Sequence, residues 1–319
     1  MKTTPTSVRT LFDKKIAPQL GLTLMAGEDG LSNMIENPHP QKLGLALAGY
    51  LDGILDNRIQ IIGFSEYNYL QTLASGEAET RLQSVCRRPI AAFILSGGLE
   101  PMPSLIQSCH RARIPLFKST ATSNRLFDSL YAFLRYYLAP REPHHATLMD
   151  IFGLGVLIRG ASGIGKSECS LELIARGHKL VADDYVIVRL EPDNKLIGTS
   201  GKDWVCGIMM VKGIGIISVN NLFGITSWEK EKQVQLAIEL VDPEDKNRVT
   251  HEIMTQQHIP CLGIPLPIIR MPVHKGRNIA LIIEVAVKNH ILTVLGHDDA
   301  QLFLQRQEAR LLENRHEPS

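Results

Sequence analysis

Cysteine, aromatic side chains and any surplus of charge are all scarce in this chain. Its five cysteines (Cys86, Cys109, Cys169, Cys206 and Cys261) are scattered and form no C-x-x-C pair. Such spacing suggests neither a zinc site nor a disulfide framework, and reduced thiols of a cytoplasmic protein are expected. Basic residues exceed acidic ones by a formal net charge of +1, with no Lys/Arg run. That leaves no electrostatic footprint for nucleic acid or an anionic membrane surface. Residues 1–15 lack an apolar core of signal-peptide length, and no stretch approaches the roughly 20 apolar residues that span a bilayer. Neither nucleic acid nor membrane is therefore an expected partner. What the chain has in quantity is aliphatic material: 44% of its 319 residues are hydrophobic and only 6% aromatic. That is enough for the cores of two domains.

The most informative stretch is Gly160-Ala161-Ser162-Gly163-Ile164-Gly165-Lys166-Ser167, which meets the phosphate-binding pattern G-x-x-x-x-G-K-[ST] at every fixed position. Its three glycines let the backbone curl until N–H groups converge on phosphate oxygens, and the helix that follows adds the positive end of its dipole. Lys166 supplies a mobile charge for the terminal phosphates, and the Ser167 hydroxyl is a ligand for Mg²⁺. The flanks agree: Val156, Leu157 and Ile158 precede the loop in a strand-like block, and Leu171, Ile174 and Ala175 follow at helical spacing before Gly177.

Upstream, Ser7 reads as the cap of a short helix through Val8, Leu11 and Phe12. Residues 43–51 and 58–64 then read as strands, 65–73 as a helix, 90–95 as a strand, 103–112 as a helix, 114–117 as a strand and 123–138 as a helix. This alternation predicts a layered α/β domain. It carries no clustered acid–base set, so binding, assembly or regulation is the role its residues support. Residues 139–145 break the pattern with Pro140 and Pro143 and read as a linker between domains at 1–138 and 139–319. His144 and His145 within it are either acid–base or anion-binding groups, or solvated linker residues.

Beyond the loop, residues 179–190 read as one strand interrupted by Asp183-Asp184. Two carboxylates in an apolar strand need a metal, a cation or hydrogen bonds, and this position suits a metal-ordering acid or a substrate base. The alternative is an exposed strand end with two solvated acids. Residues 208–217 read as a bent strand, 233–241 as a strand and 242–250 as a charged loop containing Arg248. The basic loop 274–278 either holds phosphate or is a surface turn; 279–287 reads as a strand, and Asp299 as the cap of a closing helix.

Residues 160–184, G-A-S-G-I-G-K-S-E-C-S-L-E-L-I-A-R-G-H-K-L-V-A-D-D, strongly resemble the bacterial HPr kinase/phosphorylase family, whose loop continues through S-E…L-E-L…R-G-H…L-I-A-D-D. The similarity extends to Arg58-Ile59-Gln60-Ile61-Ile62-Gly63, to Lys212-Gly213-Ile214-Gly215-Ile216-Ile217, and to residues 272–278 against P-V-R-P-G-R-N, so it spans nearly the whole chain. It implies a homohexameric kinase that uses ATP or pyrophosphate with Mg²⁺. Its substrate would be a serine of HPr, the small carrier of the sugar phosphotransferase system, or of a paralogous carrier, and the same site would run the reverse phosphorolysis. The implied architecture is a Mur-ligase-like amino-terminal α/β domain and a carboxy-terminal P-loop kinase domain of the phosphoenolpyruvate carboxykinase-like type. By matching positions the resemblance gives Asp183 the role of base toward the serine and makes His145 the catalytic histidine. Arg248 becomes the catalytic arginine, and Pro272, Val273, His274, Lys275, Gly276 and Arg277 form the dephosphorylation loop.

The chain departs from the family pattern where E-[IL]-R-G is usual: here it reads Met210-Val211-Lys212-Gly213. A Mg²⁺-liganding glutamate is thereby replaced by a thioether, a poor donor for a hard cation. His274-Lys275 also stands where Arg-Pro is usual. Against a kinase stands the alternative of a nucleotide-sensing regulatory paralogue with weakened catalysis; the intact Lys166/Asp183 pair favours the enzyme.

Overall fold

The computed structural model describes residues 4–13, 16–74, 76–201, 206–244, 257–274 and 276–297. The chain divides into two compact units, residues 1–140 and 141–319.

The first unit is built on a five-stranded sheet of β1 (Thr23–Ala26), β2 (Gln41–Lys42), β3 (Ile59–Ile62), β4 (Ala92–Leu95) and β5 (Leu116–Lys118), in the order β1-β5-β4-β3-β2. All neighbours are parallel except the β1–β5 pair. Strands β3 and β4 are buried throughout and carry apolar side chains to both faces, as a covered parallel sheet requires. Ile59, Ile61, Ala92 and Ile94 pack with Leu126, Leu130 and Leu134 of helix α4 (Ser123–Leu138). On the other face Ile62, Phe93 and Leu95 meet Leu70 of α1 (Phe64–Thr72), Leu82 and Val85 of α2 (Glu77–Cys86), and Leu105 and Cys109 of α3 (Pro103–Ala112).

Two short sequence expectations fail here. Residues 43–51 are not a strand: Gly44–Leu47 is one helical turn and Leu51–Gly53 a 3₁₀ turn. Leu43, Ala46 and Leu47 are buried at i, i+3, i+4 spacing, and Gly49, at a φ of 112°, ends the turn. Ser7 does not cap a helix either, because Thr6–Ser7 pairs antiparallel with Met34–Ile35 and the helix begins at Thr10.

The second unit holds a nine-stranded mixed sheet. Its strands are β6 (Arg141–His144), β7 (Thr147–Ile151), β8 (Leu154–Gly160), β9 (Lys179–Ala182), β10 (Val186–Glu191), β11 (Lys195–Thr199), β14 (Glu231–Val241), β15 (Gln257–Cys261) and β16 (Ile264–Pro272), while β12 (Ile208–Val211) and β13 (Gly215–Ser218) form a separate hairpin. The path runs β9-β7-β8-β14-β11-β10-β6, and β14 also pairs in parallel with β16, which carries β15. Helices α5 (Lys166–Ala175) and α6 (Ile279–Val294) bury Cys169, Leu173, Ile283 and Val287 in one core with Val156, Ile158, Leu236 and Ile238.

Several expectations are corrected in this unit. The proline-containing segment before the phosphate loop is not a free linker: Arg141–His144 is edge strand β6, paired antiparallel with β10. Pro143 is tolerated there because an edge strand need not donate every N–H. Residues 208–217 are two strands of a hairpin rather than one bent strand. Residues 279–287 belong to helix α6: Asn278 caps it by accepting the Leu281 N–H at 2.8 Å, and Ala280, Ile283 and Val287 line its buried face. The almost unbroken apolar run hid the helical period. Among the described residues no helix is long and apolar enough to cross a membrane.

Candidate active site

The phosphate loop leaves the carboxyl end of β8 and closes onto α5. Gly163 and Gly165 have φ of 79° and 104°, a region that L side chains rarely enter, and Gly165 is the N-cap of α5. At Gly160 a Cβ would lie 2.7 Å from the carbonyl oxygen of Leu240, so the strand–loop junction also demands glycine. Helix α5 ends in a Schellman motif: the His178 N–H reaches the Leu173 carbonyl and the Gly177 N–H that of Ile174, with Gly177 at a φ of 95°. Glu284 of α6 accepts from His178 Nε2 at 2.9 Å and from Arg176, which anchors the loop's helix from its far end.

Lys166 is buried, and its Nζ donates to the carbonyl oxygens of Gly160 and Ala161 at 2.9 and 3.1 Å. The ammonium is thus stored on the loop itself. Beside it lies a cleft of about 300 Å³ between loop residues 161–164 and Leu240, Val241 and Asp242 at the end of β14. The first N–H groups of a helix have no partner within it, so loop and helix start fit a polyphosphate. The half-buried Ser167 offers an oxygen donor, the kind a hard cation such as Mg²⁺ takes.

Strand register collects the remaining groups at the same end of the sheet. Gly160 is paired with Leu240, Ile158 with Thr147, and Leu148 with Ala182, so Asp183 follows at the same sheet end, with β7 between its strand and the one that feeds the loop. Asp183 does not sit inside a strand. Residues 179–190 split into β9 and β10, and Asp184, at a φ of 63°, turns the chain between them. Thr147 Oγ1 donates to Asp183 Oδ1 at 2.8 Å, and the Met210 N–H of the β12–β13 hairpin donates to Oδ2 at 3.3 Å. Burial pushes the Asp183 carboxyl above its ordinary value of 3.8; the nearby Asp184 charge adds to the rise, and the two hydrogen bonds oppose it.

His145 lies between β6 and β7, opposite that turn. Its Nδ1 is 2.9 Å from the Asp184 carbonyl oxygen and 3.2 Å from Asp184 Oδ1. A carbonyl only accepts, so Nδ1 carries the proton and Nε2 is left for another partner. The Met210 side chain is exposed although its N–H serves Asp183. Pro272 pairs with Val241, and the Val273 N–H donates to the Val241 carbonyl at 3.0 Å, so the loop from Pro272 starts beside the phosphate cleft. Its Val273 packs against the core, and the Arg277 N–H returns to the His274 carbonyl, with Gly276 at a φ of 83°. Arg248, Lys275 and Asp299 lie outside the described residues.

Sequence reading missed two members of this arrangement. Thr147 carries no motif of its own and is found only through strand pairing. The Met210 backbone donor is invisible to any argument from side chains.

A glycine loop for phosphates, a stored lysine and a half-buried, basic-shifted carboxylate at one end of a mixed sheet define a nucleotide-dependent phosphotransferase. The models of two families match: the HPr Serine kinase N terminus over residues 6–134 and the HPr Serine kinase C-terminal domain over residues 136–307. The chain belongs to the HPr serine kinase family. It is 38% identical over 292 residues to the HPr kinase/phosphorylase of Geobacter sulfurreducens, covering 92% of this chain and 91% of that one. A solved Hpr(Ser) kinase/phosphatase from Coxiella burnetii is 41% identical, with a TM-score of 0.46, and aligns with 51% of this chain and 98% of its own.

Proposed function

We propose that this protein is an HPr kinase/phosphorylase that transfers a phosphoryl group from ATP or pyrophosphate to a serine hydroxyl of HPr or an HPr-like carrier. The observation that carries this reading is Asp183, a carboxylate of raised basicity held by Thr147 and Met210 at the sheet end that feeds the phosphate loop. Asp183 takes the serine proton as the serine oxygen attacks the terminal phosphorus, the bridging P–O bond breaks, and ADP or phosphate leaves. In the reverse direction, with phosphate as acceptor, the protonated Asp183 returns the proton to the departing serine oxygen. Lys166 moves from the loop carbonyls to the phosphates, and His145, oriented by Asp184, serves the reacting phosphoryl group from Nε2. Mg²⁺ bound at Ser167 would neutralise charge developing on the phosphate oxygens. Arg248 and the 272–277 loop complete the site in this reading, the molecule works as a cytoplasmic homohexamer, and the domains divide at 138/139.

The test is incubation of the purified protein with labelled ATP and the HPr-like carriers of the same organism. Label on a carrier serine, lost again with inorganic phosphate, is expected; no label on any carrier at any donor concentration would overturn the kinase.

A second reading, a nucleotide-sensing regulatory paralogue, is favoured by one observation: an exposed thioether stands at Met210, beside the base, where the family carries a glutamate. The two readings part on a Mg²⁺ titration of carrier phosphorylation. The wild type is expected to need unusually high Mg²⁺, and Met210→Glu to lower that requirement by several-fold through an added oxygen ligand. Saturation of the wild type at ordinary Mg²⁺, with no gain in the variant, would show that the glutamate's role is filled elsewhere.

A further inference from the structure

Glu142 and His144 of β6 and Cys261 at the end of β15 meet although Cys261 is 117 residues from His144. We propose that these three side chains form a binding site for a borderline-soft divalent cation of the zinc class, separate from the phosphate loop and with water as the fourth ligand. His144 Nε2 lies 3.5 Å from Cys261 Sγ and 3.6 Å from Glu142 Oε1. A tetrahedral zinc with its usual bond lengths spaces a nitrogen and a sulfur about 3.5 Å apart and a nitrogen and an oxygen about 3.4 Å apart. Those two spacings therefore already match a coordination sphere, and all three donor atoms lie within 4.8 Å of one another. The imidazole–carboxylate distance is wider than a hydrogen bond between them would make it.

The donor types fit as well. One thiol, one imidazole and one carboxylate suit zinc, cobalt or cadmium and not Mg²⁺, which takes oxygen. The second oxygen of Glu142 accepts the Leu262 N–H at 3.1 Å, which leaves Oε1 toward His144 and fixes the carboxylate's orientation. Leu262 and Gly263 both have positive φ, 49° and 80°, and make the two-residue turn that presents Cys261 at the strand end. Burial pushes the Cys261 thiol up to about 11, so in the metal-free protein it is an S–H beside His144 Nε2. On binding, the S–H bond breaks, the sulfur–metal bond forms and the proton goes to solvent. Arg159 is the nearby cation: it favours the thiolate and the neutral imidazole, and it opposes the incoming charge. Thiolate and carboxylate together offset the metal's two charges. Because His144 precedes His145, an ion here would tie edge strand β6 to the β15–β16 turn next to the proposed active-site histidine.

The experiment uses the full chain stripped with a chelator and titrated with CoCl₂ or ZnCl₂ in excess Mg²⁺. One equivalent of Co²⁺ is expected to give a thiolate-to-cobalt charge-transfer band, with release of about one proton per chain. Cys261→Ser should abolish the band, His144→Ala and Glu142→Gln should each weaken binding by at least about tenfold, and Cys86→Ser, in the other unit, should change nothing. Glu142→Gln keeps the thiol and an isosteric side chain, so it reads the site even if the Cys261 variant folds poorly. The proposal is overturned if the wild type gives no thiolate band, or if the band survives in a folded Cys261→Ser protein; either result would leave the three groups as an internal hydrogen-bond cluster.

Discussion

Lys166→Ala is expected to lower carrier phosphorylation by at least about 10³-fold while the protein stays folded. Nothing else in the loop carries a full positive charge: Gly160, Ala161, Ser162, Gly163, Ile164, Gly165 and Ser167 offer N–H groups and a hydroxyl. The charge that builds on the phosphate oxygens therefore loses its closest neutralising group. The structural cost is smaller. Among the described residues Nζ bonds the carbonyls of Gly160 and Ala161 alone, at the edge of a cleft where water can replace it, so the loss is on the order of 1–2 kcal/mol. Single-turnover transfer from labelled ATP, beside a thermal unfolding curve, separates the two effects. A variant that retains near-normal turnover would remove the loop from the chemistry.

How much of this site was legible in the sequence follows from the range of each interaction. The phosphate loop was legible because its chemistry demands particular residues at fixed local spacing, and the helices Pro103–Ala112 and Ser123–Leu138 because local punctuation marks them. Proline stands at the start of the first, and Thr122 caps the second by accepting the Arg125 N–H. Asp183-Asp184 stood out through the cost of placing acids in an apolar run, but the sharp turn at Asp184 has no glycine or proline to announce it. Helix Ile279–Val294 was hidden because Leu281 and Val285, on its exposed face, are as apolar as the buried Ile283 and Val287. Thr147 and the Glu142–His144–Cys261 cluster arise from pairings between distant strands. No local window contains them, and the scattered cysteines gave no hint that one would meet a histidine.

Asp183→Asn is the sharper test of mechanism, because the amide fits the site and cannot do the work. Its oxygen can accept the Met210 N–H while its NH₂ donates to Thr147 Oγ1, which as a hydroxyl can reverse its role, so both anchors survive. ATP binding should persist, and the rate of phosphoryl transfer to the carrier should fall by about 10²–10⁴-fold. The pH profile makes the assignment specific. In the forward direction Asp183 must be ionised, so wild-type kcat/KM should fall as pH drops through a value above the ordinary 3.8, and the asparagine variant should lack that limb. Stability moves the other way. A carboxyl whose folded-state pKa is raised contributes its full stability below 3.8 and loses it as pH climbs through the folded value, so near neutrality the half-buried charge is a net cost. Asp183→Asn removes that charge, and its Tm near pH 7 should equal or exceed that of the wild type while activity collapses. An unchanged rate would reassign the carboxylate to structure, whereas a Tm well below wild type would mean that the charge at Asp183 is a net stabilising group and not a cost.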